Sequence, residues 1–251
     1  MIANVSFGIV RKTKINSMKT QLRLITIFAF AAALHSASAA DITGTITLKG
    51  TPPPEKDIQV TPECGPVHKG QMKTRFYAVE GDKLADVVVV LKGANVKASA
   101  APATPLLIDQ AGCEYVPYVA AAQVGQKILV KNSDPFMHNV HTIPAVAGNK
   151  EANKAQMAKA PNLEFVFEKP EPFLKFKCDV HPWMFSYVSV FDHPYFAVTG
   201  KDGSYKIANV PPGKYTVEAY HRKAAPAGSP VTQEIEVKDQ PVKADLALEV
   251  K

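Results

Sequence analysis

The sequence is short of several things, and each shortage removes a class of protein. Histidine occurs only seven times in 251 residues, and no histidine stands two positions from another. The His-x-His pairs that gather several metal ions are therefore missing. Surplus positive charge is missing too. Of the 29 Lys and Arg, five (Arg11, Lys12, Lys14, Lys19 and Arg23) precede residue 40, where no acid occurs, leaving 24 against 23 acidic residues. A nucleic-acid surface needs clustered phosphate-neutralising cations, so nucleic acid is excluded as a partner. The apolar run over residues 24–34 has eleven residues, short of the ~20 that span a bilayer. No internal repeat is visible. Glycine (14) is outnumbered by proline (20), which points away from a helical bundle and towards strands joined by turns. With 46% hydrophobic and 21% charged residues the chain has a globular composition, long enough for one large β-domain or two ordinary ones.

The basic residues, the apolar run and the small residues Ala37-Ser-Ala39 together read as a secretory signal over residues 1–39, with cleavage near Ala39. Met18 would give a more compact start. The expected mature chain is exported to the periplasm and keeps no stable membrane span. Three cysteines remain, Cys64, Cys113 and Cys178, an odd count in an oxidising compartment. Cys64 and Cys113 sit in turn-like surroundings and are able to pair, which would leave Cys178 alone.

Past the leader, alternation of period two dominates. Leu174, Phe176 and Cys178 share one strand face against Lys175 and Lys177, and Leu163, Phe165 and Phe167 do the same against Glu164 and Glu168. Ile235 and Val237, then Leu246, Leu248 and Val250, repeat the pattern near the end. Strands at short spacing with Pro, Gly and Asp turns predict an all-β chain of antiparallel sandwiches. Asp202-Gly203 is a hairpin signal. Residues 149–160, rich in Ala and Lys, are the helix candidate or else a solvated loop. Residues 51–54 and 98–105 read as linkers.

The chemistry concentrates in Phe176-Lys-Cys-Asp-Val-His-Pro-Trp-Met-Phe185. Cys178, His181 and Met184 are spaced three apart, directly after a strand that points Cys178 inward. Upstream, Asp134-Pro-Phe-Met-His-Asn-Val-His141 follows the expected strand 127–131. Two strand ends can meet at one pole of a sandwich, bringing a histidine beside the Cys-His-Met loop. One thiolate, two imidazoles and a thioether make the trigonal His₂Cys set with weak axial Met that suits copper in electron transfer. The bland readings are a buried thiol beside a surface histidine, or half a zinc site, though zinc sites add a second Cys or His rather than Met. His141, three beyond His138, falls on the opposite side of its strand. His68, His193 and His221 read as structural or without a role.

Residues 105–192 resemble a cupredoxin, and Cys178-Asp-Val-His-Pro-Trp-Met184 looks like the short ligand loop of amicyanin-type blue copper proteins. Val124-Gly-Gln-Lys-Ile-Leu-Val-Lys-Asn132 followed by His138-Asn139 is similar to that family's first-histidine segment. The resemblance implies a Greek-key sandwich and a single type 1 copper held by His138, Cys178, His181 and Met184. It implies that Asn139 hydrogen-bonds across to the cysteine-bearing loop. Trp183 stands where phenylalanine is more usual. Phe136, Met137, Pro182 and Trp183 are expected to surround the edge of His181 as an apolar docking patch for redox partner proteins; Trp183 is equally readable as a core aromatic.

The stretch 198–219, with Asp202-Gly203 and Pro211-Pro212-Gly213, resembles a carboxypeptidase regulatory-like, transthyretin-like β-sandwich. Such domains open with strands like 42–48 and 86–91, which here precede the copper region. The expected organisation is a discontinuous sandwich, residues 41–97 plus 193–251, with a cupredoxin domain over 98–192 inserted. The functional expectation is a periplasmic carrier of single electrons and not an enzyme; the alternative is a copper chaperone or storage protein.

Overall fold

The computed structural model describes residues 38–225 and 230–251. The basic residues and apolar run of the expected leader lie outside them. Among the described residues every regular element is a β-strand. The strands form open sheets around two separate hydrophobic cores, and no sheet closes into a barrel.

The first core is built on the strand Ala40–Lys49, where Ala40, Ile42, Ile46 and Leu48 point inward and the alternate residues face out. This strand pairs antiparallel with Ser204–Val210 and parallel with Leu246–Val250, so residues 40–49 and 246–250 are neighbours in one sheet. Gly44 is required where the strand passes Ala244: a Cβ there would overlap the Ala244 carbonyl, which already accepts from the Tyr205 hydroxyl at 2.6 Å. The facing sheet runs Phe196–Val198, Val88–Lys92, Gly213–Tyr220, Val231–Val237. Val88, Val89, Val90 and Leu91 are all buried. An unbroken apolar run of this kind marks a strand covered on both faces.

The second core lies between two sheets. One has the order Ala152–Gln156, His138–Ile143, Glu171–Lys177, Phe185–Phe191, Val119–Gln123; the other Leu163–Phe165, Ile128–Asn132, Leu106–Gln110, Tyr115–Val116. Phe176 is fully buried at its centre, with Phe165 and Phe167 edge-on at 5.7 and 6.0 Å. Both inward faces expected from the period-two pattern are used here.

Two expectations need correction. Residues 149–160 are not helical: Ala152–Gln156 is a strand that pairs with His138–Ile143 at the sheet edge. The Ala and Lys content favours helix locally, but an open row of backbone donors and acceptors on His138–Ile143 satisfies more groups than an isolated short helix would. The stretch 41–97 does not belong to one core. Ala40–Lys49 and Val79–Lys92 serve the first, whereas Ile58, Val60, Cys64, Val67 and Met72 pack on the second. The exposed linkers 51–54 and 98–105 are where the chain crosses between them.

Candidate metal centre

The sheet register builds the site. Glu171–Lys177 runs antiparallel to His138–Ile143 with Lys177 opposite His141, so the end of one strand meets the start of the other. Cys178 follows the first and His138 opens the second. The intervening loop is closed by its own backbone: Met184 N–H donates to the His181 carbonyl at 2.9 Å, and Cys178 N–H to the Met184 carbonyl at 3.2 Å. Cys178, His181 and Met184 are all buried as a result.

Three donors converge. His138 Nδ1 and His181 Nδ1 are 2.9 Å apart, and Cys178 Sγ lies 3.9 and 3.6 Å from them. Exposures of 0%, 1% and 2% for His138, Cys178 and His181 put the cluster out of reach of bulk water. Donors bound at about 2.0–2.3 Å to one ion sit roughly 3–4 Å from each other, so the spacing fits a metal held by two nitrogens and a sulfur. Met184, the donor the sequence places at the end of the same loop, is buried in the second core.

The surrounding hydrogen bonds orient these donors. Asn139 N–H points at Cys178 Sγ at 3.5 Å, and Asn139 Oδ1 accepts from Asp179 N–H at 2.6 Å, tying the two ligand-bearing segments together. The sequence had given no role to three other residues. Asp134 Oδ2 accepts from His138 Nε2 at 2.8 Å, which turns Nδ1 inward to the cluster. The same carboxylate is held by Gly112 and Cys113 N–H at 2.6 and 2.8 Å. Tyr115, from the opposite sheet, donates its hydroxyl to the carbonyls of Asn139 and Lys177 at 2.7 and 3.2 Å. Glu63 Oε1 lies 3.5 Å from His181 Nε2. Asp134 carried a faint signal, an acid four residues ahead of a histidine across a proline-containing turn; the other two carried none.

These contacts set protonation. Burial opposes charge on His138, but the Asp134 carboxylate and the Cys178 sulfur outweigh it and push the imidazole up to about 8. Burial opposes the Cys178 thiolate, yet His138 and the Asn139 N–H bring the thiol below its ordinary value. Burial and the neighbouring His138 hold His181 down. Asp134 resists burial through its bonds to His138, Cys113 and Gly112, and stays below the usual carboxylate range.

The docking patch differs from expectation. Phe136 and Trp183 flank the site, with ring centres 6.1 and 5.5 Å from His181, and Pro182 is exposed. The His181 ring itself does not reach the surface. Residues 61–68 cover it, pinned by a disulfide between Cys64 and Cys113 whose sulfurs lie within 4.8 Å of a His181 nitrogen. Trp183 takes part in this cover, donating Nε1–H to the Cys113 carbonyl at 3.2 Å while packing on the second core. His141 lies outside the cluster, its nitrogens 2.9 Å from Asp179 and 2.7 Å from Glu151. His68 caps the Gly112 carbonyl at 3.1 Å.

No protein-family model and no curated protein sequence matches the chain. Among solved structures it is similar to a methionine-to-alanine mutant of amicyanin in the Cu(I) form (20% identity, 41% of this chain and 97% of that one, TM-score 0.31). It is also similar to a purple cupredoxin from Nitrosopumilus maritimus (26% identity, 34% of this chain and 98% of that one, TM-score 0.28). A third is a copper-containing nitrite reductase from Thermus scotoductus SA-01 (22% identity, TM-score 0.32). There the match takes in 40% of this chain but spans only 25% of the reductase.

Proposed function

We propose that the second core carries a cupredoxin-type site in which His138, Cys178, His181 and Met184 would hold one copper, and that the protein moves single electrons between partner proteins in the periplasm. The observation that supports this most directly is the convergence of Cys178 Sγ with two Nδ1 nitrogens inside a buried cluster. When bound, copper supplies a one-electron Cu(I)/Cu(II) couple, for which soft sulfur and imidazole together are the matching donors.

The chain's own residues do the rest. Cys178 binds as thiolate and releases its proton, which its lowered affinity for that proton eases. Asp134 holds His138 in the tautomer that keeps Nδ1 free. Asn139 and Tyr115 join both ligand-bearing segments, so the donors keep one geometry in either oxidation state. The converging donors are buried away from any substrate, which favours carriage of electrons over catalysis. A chaperone would pass its ion through an exposed site, and these donors are buried. Partners would meet the protein at Phe136, Pro182 and Trp183. The first core, on this reading, is the transthyretin-like sandwich interrupted by the copper-binding body, and residues 1–39 are its export signal.

The test is a visible absorption and electron paramagnetic resonance spectrum of residues 41–251 loaded with Cu(II). An intense blue thiolate band with narrow hyperfine splitting is expected. A colourless protein that holds Cu(I) tightly would move the assignment to the chaperone, and no copper at all would end it.

A further inference from the structure

The disulfide that covers His181 is placed where a second set of donors would be. Cys64 Sγ, Cys113 Sγ and a ring nitrogen of His181 all lie within 4.8 Å of one another, and all three residues are buried. Nδ1 of His181 is turned to Cys178 and His138, which leaves Nε2 facing the cover and the Glu63 carboxylate. The Cys64 and Cys113 Cα atoms are 5.7 Å apart, close enough for both sulfurs to turn to one ion once they are no longer bonded to each other.

We propose that the Cys64–Cys113 pair, when reduced, joins His181 Nε2 in a second site that takes one cuprous ion. Reduction by a dithiol or phosphine breaks the S–S bond with two electrons and two protons, giving two thiols. Each thiol then loses its proton as it binds. Two thiolates and one imidazole form a soft, three-donor set that suits Cu(I). The bound ion would take over the disulfide's role of fastening residues 61–68 across His181, so the cover would be closed either by a covalent bond or by a metal. His181 would then bridge two ions, one on each ring nitrogen. The second site shares His181 with the proposed electron-transfer site but does not need Cys178, so the two readings can fail separately.

The experiment counts copper in residues 41–251. Protein is refolded with and without tris(2-carboxyethyl)phosphine, freed of reductant under argon and titrated with Cu(I) against a chromophoric chelator. Circular dichroism confirms the fold in each case. The reduced protein is expected to hold one more copper per chain than the disulfide form, and Cys64→Ser/Cys113→Ser to lose that gain. In Cys178→Ser the reduced form is expected to hold one copper and the oxidised form none. Wild type that holds none oxidised and one reduced would remove the electron-transfer site and leave this one standing. Equal copper in folded oxidised and reduced wild type overturns the proposal, as does a gain that survives in the double variant.

Discussion

Asp134 and His138 are joined by a 2.8 Å hydrogen bond inside the protein, with Asp134 Oδ2 accepting from Nε2 of an imidazole whose Nδ1 faces Cys178 and His181. A carboxylate in this place fixes the tautomer and makes the opposite nitrogen a better donor. Such outer partners are worth about 10–100-fold in metal affinity. Asp134→Asn is therefore expected to weaken Cu(II) binding by about that factor while the blue band persists, measured by chelator competition. Affinity equal to wild type would show that the pair only packs.

Cys178→Ala and His138→Ala are expected to abolish the copper-thiolate spectrum. Met184→Leu should keep copper and shift the reduction potential, because a thioether would tune the site rather than build it. Full thiolate colour in Cys178→Ala would sink the ligand assignment.

Tyr115→Phe removes one hydroxyl from two buried carbonyls. Leaving buried acceptors unpaired costs about 1–3 kcal/mol, read as a lower urea midpoint. Because those carbonyls belong to Asn139 and Lys177, the copper spectrum should broaden as well. A stability loss with an unchanged spectrum would confine the tyrosine to the scaffold.

His221 is expected to contribute to acid stability. Its Nδ1 accepts from Lys223 and Ala224 N–H at 3.1 and 3.0 Å, and its ring stacks on Tyr77 at 5.2 Å. Burial, helped by nearby Arg222, holds its pKa down at about 4. The folded state thus binds the proton more weakly than the unfolded chain, whose histidine titrates near ~6.5. The stabilisation is complete above pH ~6.5 and is lost as pH falls towards 4, on the order of 3 kcal/mol in all. Denaturant midpoints between pH 7 and 4 check this, and His221→Gln should flatten the slope. An equal slope in the variant would point to other groups.

The Cys64–Cys113 bond closes a span of 49 residues. Restricting the unfolded chain over that length is worth about 4 kcal/mol, so reduced apoprotein should unfold at a correspondingly lower denaturant concentration, and Cu(I) should restore part of the loss. No recovery with Cu(I) would weigh against a metal between those sulfurs.

What the sequence determined by itself was local. Period-two alternation set the inward faces of residues 163–167 and 174–178, because the pleat puts every second side chain on one side whatever it packs against. The three-residue spacing of Cys178, His181 and Met184 was legible because one short loop carries all three. The tertiary structure decided the rest. Residues 152–156 became an edge strand because His138–Ile143 offered unpaired backbone groups, which outweighed a composition that favours helix. Asp134 meets His138 through a turn, Tyr115 reaches the site from the opposite sheet, and Glu63 with Cys64 comes from the segment the chain sends across from the first core. No periodicity encodes such meetings, since hydrogen bonds and burial between distant segments depend on how the sheets stack. That is why His181, expected at the surface, is roofed by a disulfide.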